Sequence, residues 1–366
     1  MKIAILASNK LDINESTKKG TEIFVRTLVN TVAHLNKDLK VTVFCSKDSD
    51  LTSEITSLDF DTTSPNIPEE KHIIFELALL SKAFSIEEKF DLYHANIGDG
   101  DIILPFALFV KKPILITIHN TLEAKYVKSY FSFFKNLPNL FFVSSSEVQR
   151  ALVPGLNFVA TIPHGVDIEN EFKFDPTGGN DLMWVGRVMP GKGLETSIKL
   201  AKVLKKRIHL FGIFKEEYSK WLQIEKLDSK NIKFDTKRQE LIAHYQSSKL
   251  LLFPTLLEES FGLVMIEALA CGTPVVAFAK GAVPEVTEDG KTGFIVNSSE
   301  NDIRGNWIIK KTGFEGLREA VEKIYSMSQT DYLKMRADCR ALAEKSFSAK
   351  RMAQEYLKVY KTLSSQ

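Results

Sequence analysis

Short apolar segments alternate with stretches of helical periodicity along this chain, and the alternation occurs twice. In the first half, the segments with the composition of buried strands are Ile3–Ala7, Lys40–Cys45, Asp91–His94, Ile114–Ile118, Leu140–Val143 and Val159–Ile162. In the second half they are Leu182–Val185, Arg207–Phe211, Asn231–Phe234, Lys249–Phe253, Val275–Phe278 and Phe294–Val296. Strands that alternate with helices build a parallel sheet with helices on both faces. The pattern therefore predicts two doubly wound α/β domains.

The length of the chain agrees with two domains and a closing helix. At 366 residues the chain exceeds the size at which one hydrophobic core stops growing. The segment Ile162–Asp167 and the polar stretch after it suit a linker. This predicts an N-terminal domain over 1–165 and a C-terminal domain over 166–345. A final helix over 346–366 has Met352 and Tyr356 on an apolar stripe, and we expect it to pack back on the N-terminal domain.

Composition and charge exclude several classes of protein. The chain is 44% hydrophobic and 26% charged, as in a folded soluble protein, and its net charge of +2 argues against nucleic-acid binding. Its three cysteines are too scattered for a disulfide framework or a zinc site. The N-terminus has the pattern of a first strand and not of a signal peptide. Because Pro105 and Lys111 interrupt the longest apolar region, that region cannot span a bilayer, and we expect a cytoplasmic protein.

A segment rich in glycine and positive charge stands where one strand of the second domain ends. It runs from Gly186 to Gly193 and includes Arg187 and Lys192 just before a predicted helix. A guanidinium can bind a diphosphate through two hydrogen bonds, and an ammonium supplies a point charge. Ligands bind at the carboxyl ends of parallel strands, which favours a phosphate site over a turn with two solvated cations. The segment also approximates the P-loop of an NTPase, but Gly193 stands where that motif needs a hydroxyl.

A second segment carries two glutamates eight positions apart, Glu259 and Glu267. We expect Glu259 to lie in a loop and Glu267 to lie in a helix that begins at about Phe261. The amides of Phe261, Gly262 and Leu263 would then face an anion at the positive end of the helix. The two carboxylates would contact opposite ends of one extended ligand. The arrangement suits a ribose, a diphosphate and a sugar in line.

Four segments of the second half carry distinctive glycine, proline and charged residues. In chain order they are Gly186–Gly193, Glu259–Glu267, Glu267–Val276 and Gly281–Gly293. In this order they resemble the retaining nucleotide-sugar glycosyltransferases of family 4, also described as glycosyl transferases group 1. The resemblance is dense from about residue 160 to residue 296 and weaker before that. It implies the GT-B fold, in which two doubly wound Rossmann-like domains face a central cleft. It also implies that the acceptor binds mainly to the first domain and the donor to the second.

The resemblance implies a role for each matching position of the second domain. Arg187 and Lys192 would bind the donor diphosphate and help the leaving group depart. Glu259 would contact hydroxyls of the transferred sugar, and Glu267 would bind the ribose. The amides of residues 261–263 would hold sugar and phosphate.

Two positions of the first domain also match the family. A glycine-rich loop after the first strand would cover the phosphates, and here it would be residues 19–22. Lys19 replaces one of the two glycines usual in that loop, so only Gly20 is assigned to the donor. His119 ends a predicted strand and matches a histidine that faces the donor sugar; a purely structural histidine is the alternative.

The triplet from Asp99 to Asp101 resembles the aspartate pair that binds a metal in another transferase fold. Asp101 also suits the N-cap of a following helix. Because two cations and a helix N-terminus would already neutralise the diphosphate, we expect neither a metal nor another cofactor.

The segment 125–138 combines aromatic and basic residues. They are Lys125, Tyr126, Lys128, Tyr130, Phe131, Phe133, Phe134 and Lys135. Such a segment could lie at a membrane interface, line an apolar acceptor groove, or form the core and rim of a helix packed on its sheet. The first interpretation would place the protein peripherally at the inner face of a membrane.

Together with the resemblance, these observations predict a metal-independent retaining glycosyltransferase. It would move a hexose-type sugar from a UDP- or GDP-linked donor to a hydroxyl of a glycan, a lipid-linked acceptor or a small molecule. Two alternatives stay open, a nucleotide-sugar epimerase or hydrolase on the same fold and a non-catalytic partner subunit of a transferase. The sequence does not predict the sugar, the base, the acceptor or the role of residues 301–311.

Overall fold

The computed structural model describes residues 1–98, 100–214, 218, 221, 232–234 and 236–365. Within them the chain divides into two compact units. The first unit comprises Met1–Gly165 and Ala349–Gln366, and the second comprises Val166–Ser348.

The first unit is built on a parallel sheet with the strand order β3-β2-β1-β4-β5-β6-β7. Its strands are β1 (Lys2–Ala7), β2 (Lys40–Phe44), β3 (Glu54–Thr56), β4 (Leu92–Asn96), β5 (Ile114–Thr117), β6 (Leu140–Ser144) and β7 (Phe158–Thr161). Its first helices are α1 (Gly20–Leu35), α2 (His72–Phe84), α3 (Lys125–Ser132) and α4 (Glu147–Ala151). Among its described residues, 3₁₀ helices span Glu69–Lys71, Glu87–Lys89 and Asp101–Leu108.

Both faces of this sheet are buried. Successive side chains of a strand point to opposite faces. Ile3 and Ile5 therefore pack in the cluster formed with α1, whereas Ala4 and Leu6 pack in the cluster formed with α2. A strand that is apolar at every position is what a sheet covered by helices on both sides requires.

The second unit repeats this architecture with the strand order β10-β9-β8-β11-β12-β13, again parallel. Its strands are β8 (Asp181–Val188), β9 (Ile208–Phe214), β10 (Ile232–Phe234), β11 (Ser248–Phe253), β12 (Val275–Phe278) and β13 (Gly293–Val296). Its helices are α5 (Leu194–Leu204), α6 (Arg238–Ser247), α7 (Leu263–Ala270), α8 (Val283–Val286), α9 (Gly313–Tyr325) and α10 (Gln329–Ser346).

The last helix, α11 (Ala349–Ser364), belongs to the first unit and packs against α1. Two of its tyrosines are buried in a polar chain with two strand residues. Tyr360 Oη lies 2.7 Å from His94 Nδ1, and Thr117 Oγ1 lies 2.7 Å from His94 Nε2 and 2.8 Å from Tyr356 Oη. Burial lowers the pKa of His94 to about 3, so this imidazole is neutral.

The prediction of two doubly wound α/β domains is confirmed, and a strand forms in each predicted segment. Asn231, at the start of one such segment, lies outside the described residues. The strand β3 was missed because its three residues are too few and too polar to show a periodicity, as is common at a sheet edge. Among the described residues, none of the helices has the length and apolar character needed to cross a bilayer.

Candidate active site in the second unit

The candidate site lies where the strand order of the second sheet reverses. β8 has β9 on one side and β11 on the other, so the connections that leave β8 and β11 diverge from two adjacent carboxyl ends. Such a reversal point is where open parallel sheets bind ligands. The two loops concerned are residues 189–193, before α5, and residues 254–262, before α7.

The two loops touch through their backbones. Leu256 donates its amide to the carbonyl of Gly191 at 2.7 Å. Gly193 has φ +79°, and a Cβ at this position would lie 2.3 Å from the carbonyl oxygen of Pro254. Only glycine tolerates both the left-handed backbone and this approach, so Gly193 is required for the contact of the two loops.

Lys192 and Glu259 meet where these loops join. The ammonium and the carboxylate form an ion pair, and only 14% and 12% of the two side chains are exposed. Poor solvation on both sides makes each charge dependent on the other. The structure therefore brings together two predicted site residues that are 67 positions apart.

Two helices begin beside this ion pair. The N-cap residues of α5 and α7 are Gly193 and Gly262, and neither offers a side-chain cap to the first amides of its helix. A helix N-terminus whose N-cap residue has no side chain suits an anion. The predicted start of the second helix was wrong, because the left-handed backbone of Gly262, with φ +94°, delays the helix to Leu263. Phe261 lies in the loop instead, and its buried ring packs edge-on against Phe347.

Arg187 is placed differently from the prediction. We expected it in a loop, but β8 continues to Val188, and Gly186 and Arg187 pair with Gly212 and Ile213 of β9. Its side chain is exposed and forms no ion pair with the residues that the structure describes. Arg187 thus stands near the carboxyl end of the strand that leads to Lys192, but outside the ion pair of Lys192 and Glu259.

Glu267 lies in α7 and is only 5% exposed. Tyr245 Oη donates a hydrogen bond to its Oε2 at 2.9 Å, and Arg238 Nη1 lies 3.5 Å from its Oε1. Arg238 also holds Glu171 through two hydrogen bonds. Burial raises the pKa of Glu267, and Arg238 and Tyr245 oppose this rise. Burial alone would lower the pKa of Arg238, but the carboxylates of Glu267 and Glu171 reverse the effect and raise it.

Sequence reasoning missed Tyr245, Arg238 and Glu171. A signal existed for two of them, because Arg238 and Tyr245 are seven positions apart in α6 and therefore share one face of that helix. No sequence signal links this face to Glu267. The contact depends on α6 packing against α7, which is a tertiary event.

The remaining predicted site residues, His119 and Gly20, belong to the first unit. His119 lies just beyond the end of β5, with Nε2 3.1 Å from Asn96 Oδ1 and its ring stacked on His164 at 5.5 Å. Burial lowers the pKa of His119 to about 3, so the imidazole is neutral. Gly20 is the first residue of α1. The prediction of a loop over residues 19–22 is therefore wrong for residues 20–22, which are helical.

The aromatic segment of the first unit is divided between core and surface. Phe131 is buried, whereas Tyr126 and Phe133 are 78% and 79% exposed. Tyr126, Tyr130 and Phe133 line an open groove on one side of α3, together with Asp101. Asp101 accepts from the amide of Ile102 at 2.9 Å, and Asp99 lies outside the described residues.

Two family models match this chain. Residues 167–334 match the family model described as Glycosyl transferases group 1, and residues 19–170 match the model described as Glycosyltransferase Family 4. A segment of 70 residues is 46% identical to D-inositol 3-phosphate glycosyltransferase of Mycobacterium sp. (strain KMS), covering 19% of this chain and 15% of that protein. The matched segments span less than half the length of such curated relatives.

Solved structures show the same fold over the whole chain. Sucrose-phosphate synthase from Thermosynechococcus elongatus superposes with a TM-score of 0.77 at 18% identity, covering 100% of this chain and 99% of that one. Anabaena Alr3699/HepE in complex with UDP-glucose superposes with a TM-score of 0.71 at 17% identity, covering 99% and 100%. These similarities show the GT-B fold. Together the two family models match from residue 19 to residue 334, and the chain belongs to the family 4, group 1 glycosyltransferases.

Proposed function

We propose that this protein is a retaining glycosyltransferase that moves a hexose-type sugar from a nucleoside diphosphate sugar to an acceptor hydroxyl. The observation that carries the proposal is the ion pair of Lys192 and Glu259, held at the strand-order reversal between the N-termini of α5 and α7. An ammonium and two uncapped helix ends suit a diphosphate, and a neighbouring carboxylate suits sugar hydroxyls.

Donor binding would redistribute the partners of Lys192. An incoming diphosphate competes with Glu259 for the ammonium, and Glu259 then becomes available to accept hydrogen bonds from the sugar. Glu267 would accept from the ribose, with Tyr245 and Arg238 fixing its orientation. The complex of the Anabaena protein with UDP-glucose supports a UDP-linked donor. The assignments of Arg187, His119 and Gly20 to the donor stay predictions.

The placement of the carboxylates favours a front-face reaction. Retaining glycosidases use two carboxylates about 5 Å apart, one of them as the nucleophile. Glu267 does not suit that role, because here it would bind the ribose, with Tyr245 and Arg238 fixing its orientation. Lys192 and the helix amides would instead stabilise charge on the departing diphosphate. The departing phosphate would take the proton of the acceptor hydroxyl as the new glycosidic bond forms on the same face. In this reaction no metal is needed.

The test begins with binding and ends with the product. Thermal shift with a panel of UDP- and GDP-sugars, followed by calorimetry with UDP and GDP, should identify one donor class. Turnover should then require an acceptor, persist in EDTA and give a product that keeps the anomeric configuration of the donor. Donor consumption at the same rate without acceptor would favour the hydrolase or epimerase, and absence of any nucleotide binding would favour the non-catalytic subunit.

A further inference from the structure

A four-residue charge cluster lies behind the loop that carries Glu259, and we call it the brace: Glu258, Lys280, Asp302 and Arg304. Arg304 donates to both carboxylate oxygens of Glu258, at 3.2 and 2.6 Å. Its Nε donates to Asp302 Oδ1 at 2.6 Å, and Lys280 Nζ lies 2.5 Å from Asp302 Oδ2. The brace has two positive and two negative charges, so its members neutralise one another without a ligand.

The backbone beside the brace is fitted closely to the same loop. The amide of Gly281 donates to Glu258 Oε2 at 2.6 Å, and the amide of Ala282 donates to the carbonyl of Glu259 at 2.9 Å. Gly281 has φ +52°, and a Cβ there would lie 2.1 Å from the carbonyl oxygen of Glu259. The backbone of Glu259 is therefore held from the side of residues 281–282.

The backbone of Arg304 is itself held by a residue at the end of β13. Its amide donates to Asn297 Oδ1 at 2.8 Å, and the indole of Trp307 donates to the same oxygen at 3.1 Å. Asn297 follows β13 directly. Residues 301–311, whose role the sequence does not predict, thus connect the end of β13 to Glu258.

Consecutive glutamates have separate partners in this arrangement. Glu258 is bound by Arg304, and Glu259 is bound by Lys192. If a donor diphosphate draws Lys192 away, the side chain of Glu259 loses its ion pair. The loop then depends on the contacts of Glu258 and of residues 281–282 to stay in place.

We propose that Arg304 is a positioning residue for the donor site, which acts through Glu258 to keep Glu259 in its binding position when Lys192 turns to the ligand. The inference deepens the proposed function and rests on it for the identity of the ligand.

The experiment compares Arg304→Ala with Arg304→Lys and with the control Arg318→Ala. Arg318 is matched to Arg304, since both side chains are 38% exposed and paired with glutamates, but Arg318 lies on α9 with Glu315 and Glu322 as its partners. We expect the KM for the donor sugar in Arg304→Ala to rise about three- to tenfold, as for loss of a partly exposed bidentate ion pair. The kcat should stay within about twofold, because Arg304 contacts no reacting group. The KM of Arg304→Lys should lie between the values for the wild type and for Arg304→Ala. The KM of Arg318→Ala should equal that of the wild type.

Hydrogen exchange in the free protein provides a readout that does not need turnover. Peptides over 258–262 and 279–283 should exchange faster in Arg304→Ala than in the wild type or the control. Unchanged exchange, or a KM equal to that of the control, would overturn the proposal. A lower Tm with a fallen kcat and an unchanged KM would also overturn it, because it would show a general structural role. Faster exchange in a protein that binds no donor would refute the proposed function and leave the role of Arg304 in holding the loop intact.

Discussion

Replacement of Lys192 by alanine tests the core of the site, because it removes the cation that pairs with Glu259. The wild-type pair is 14% and 12% exposed, so the variant leaves a nearly buried carboxylate without its counter-charge. An unsatisfied buried group of this kind costs about 1–3 kcal/mol of folding stability. The larger effect is expected on the reaction. Loss of one preorganised group that stabilises transition-state charge typically lowers kcat by about 10²- to 10³-fold, or ~2.7–4 kcal/mol.

The assay is steady-state turnover of the donor found by thermal shift, with urea unfolding of the same preparations. Lys233→Ala is the matched control, since Lys233 also pairs with a glutamate of the second unit, Glu240, but the two side chains are 51% and 47% exposed. That exposed pair should contribute no more than about 1 kcal/mol, and its loss should leave kcat unchanged. A kcat for Lys192→Ala within twofold of wild type would refute the assignment of leaving-group stabilisation to Lys192.

Three further predictions concern His94, Tyr245 and the exposed aromatic residues of the segment that contains α3. The pKa of His94 falls from 6.5 to about 3 on burial, so its contribution to stability is complete above pH 6.5 and is lost as the pH falls toward 3. Chemical denaturation should show that this group lowers the free energy of unfolding by about 2 kcal/mol between pH 7 and pH 5, and His94→Gln should lack this decrease. An equal pH dependence of the free energy of unfolding in the variant would contradict the prediction. Tyr245→Phe should destabilise the second unit by about 1–2 kcal/mol and weaken UDP binding, and unchanged UDP affinity would argue against Glu267 as the ribose ligand. If α3 contacts a membrane, the wild-type protein should float with anionic vesicles, and the double variant Tyr126→Ser, Phe133→Ser should not. A wild-type protein that binds no vesicles would exclude this interpretation.

Local pattern was enough to predict the fold class. A central strand of a doubly wound sheet is apolar over about four to eight residues, and this signal is visible without knowledge of the neighbouring strands. The same local chemistry marked Lys192, Glu259 and Glu267, because glycine, charge and a helix start occur together at strand ends. The left-handed backbone of Gly262 is not visible in such a pattern, and for this reason the helix begins two residues later than the sequence predicts.

The pattern of the amino-acid sequence predicts the order of the strands along the chain and the residues at their ends. Which of those ends lie side by side depends on how the strands pair in the sheet. The pairing of Lys192 with Glu259 needs β8 and β11 to be neighbours in the sheet, and the environment of Glu267 needs α6 to pack on α7. The role proposed for Arg304 depends in the same way on a contact with Glu258, which is 46 positions away. Contacts of this range are set by packing of whole elements, and no spacing within one element encodes them.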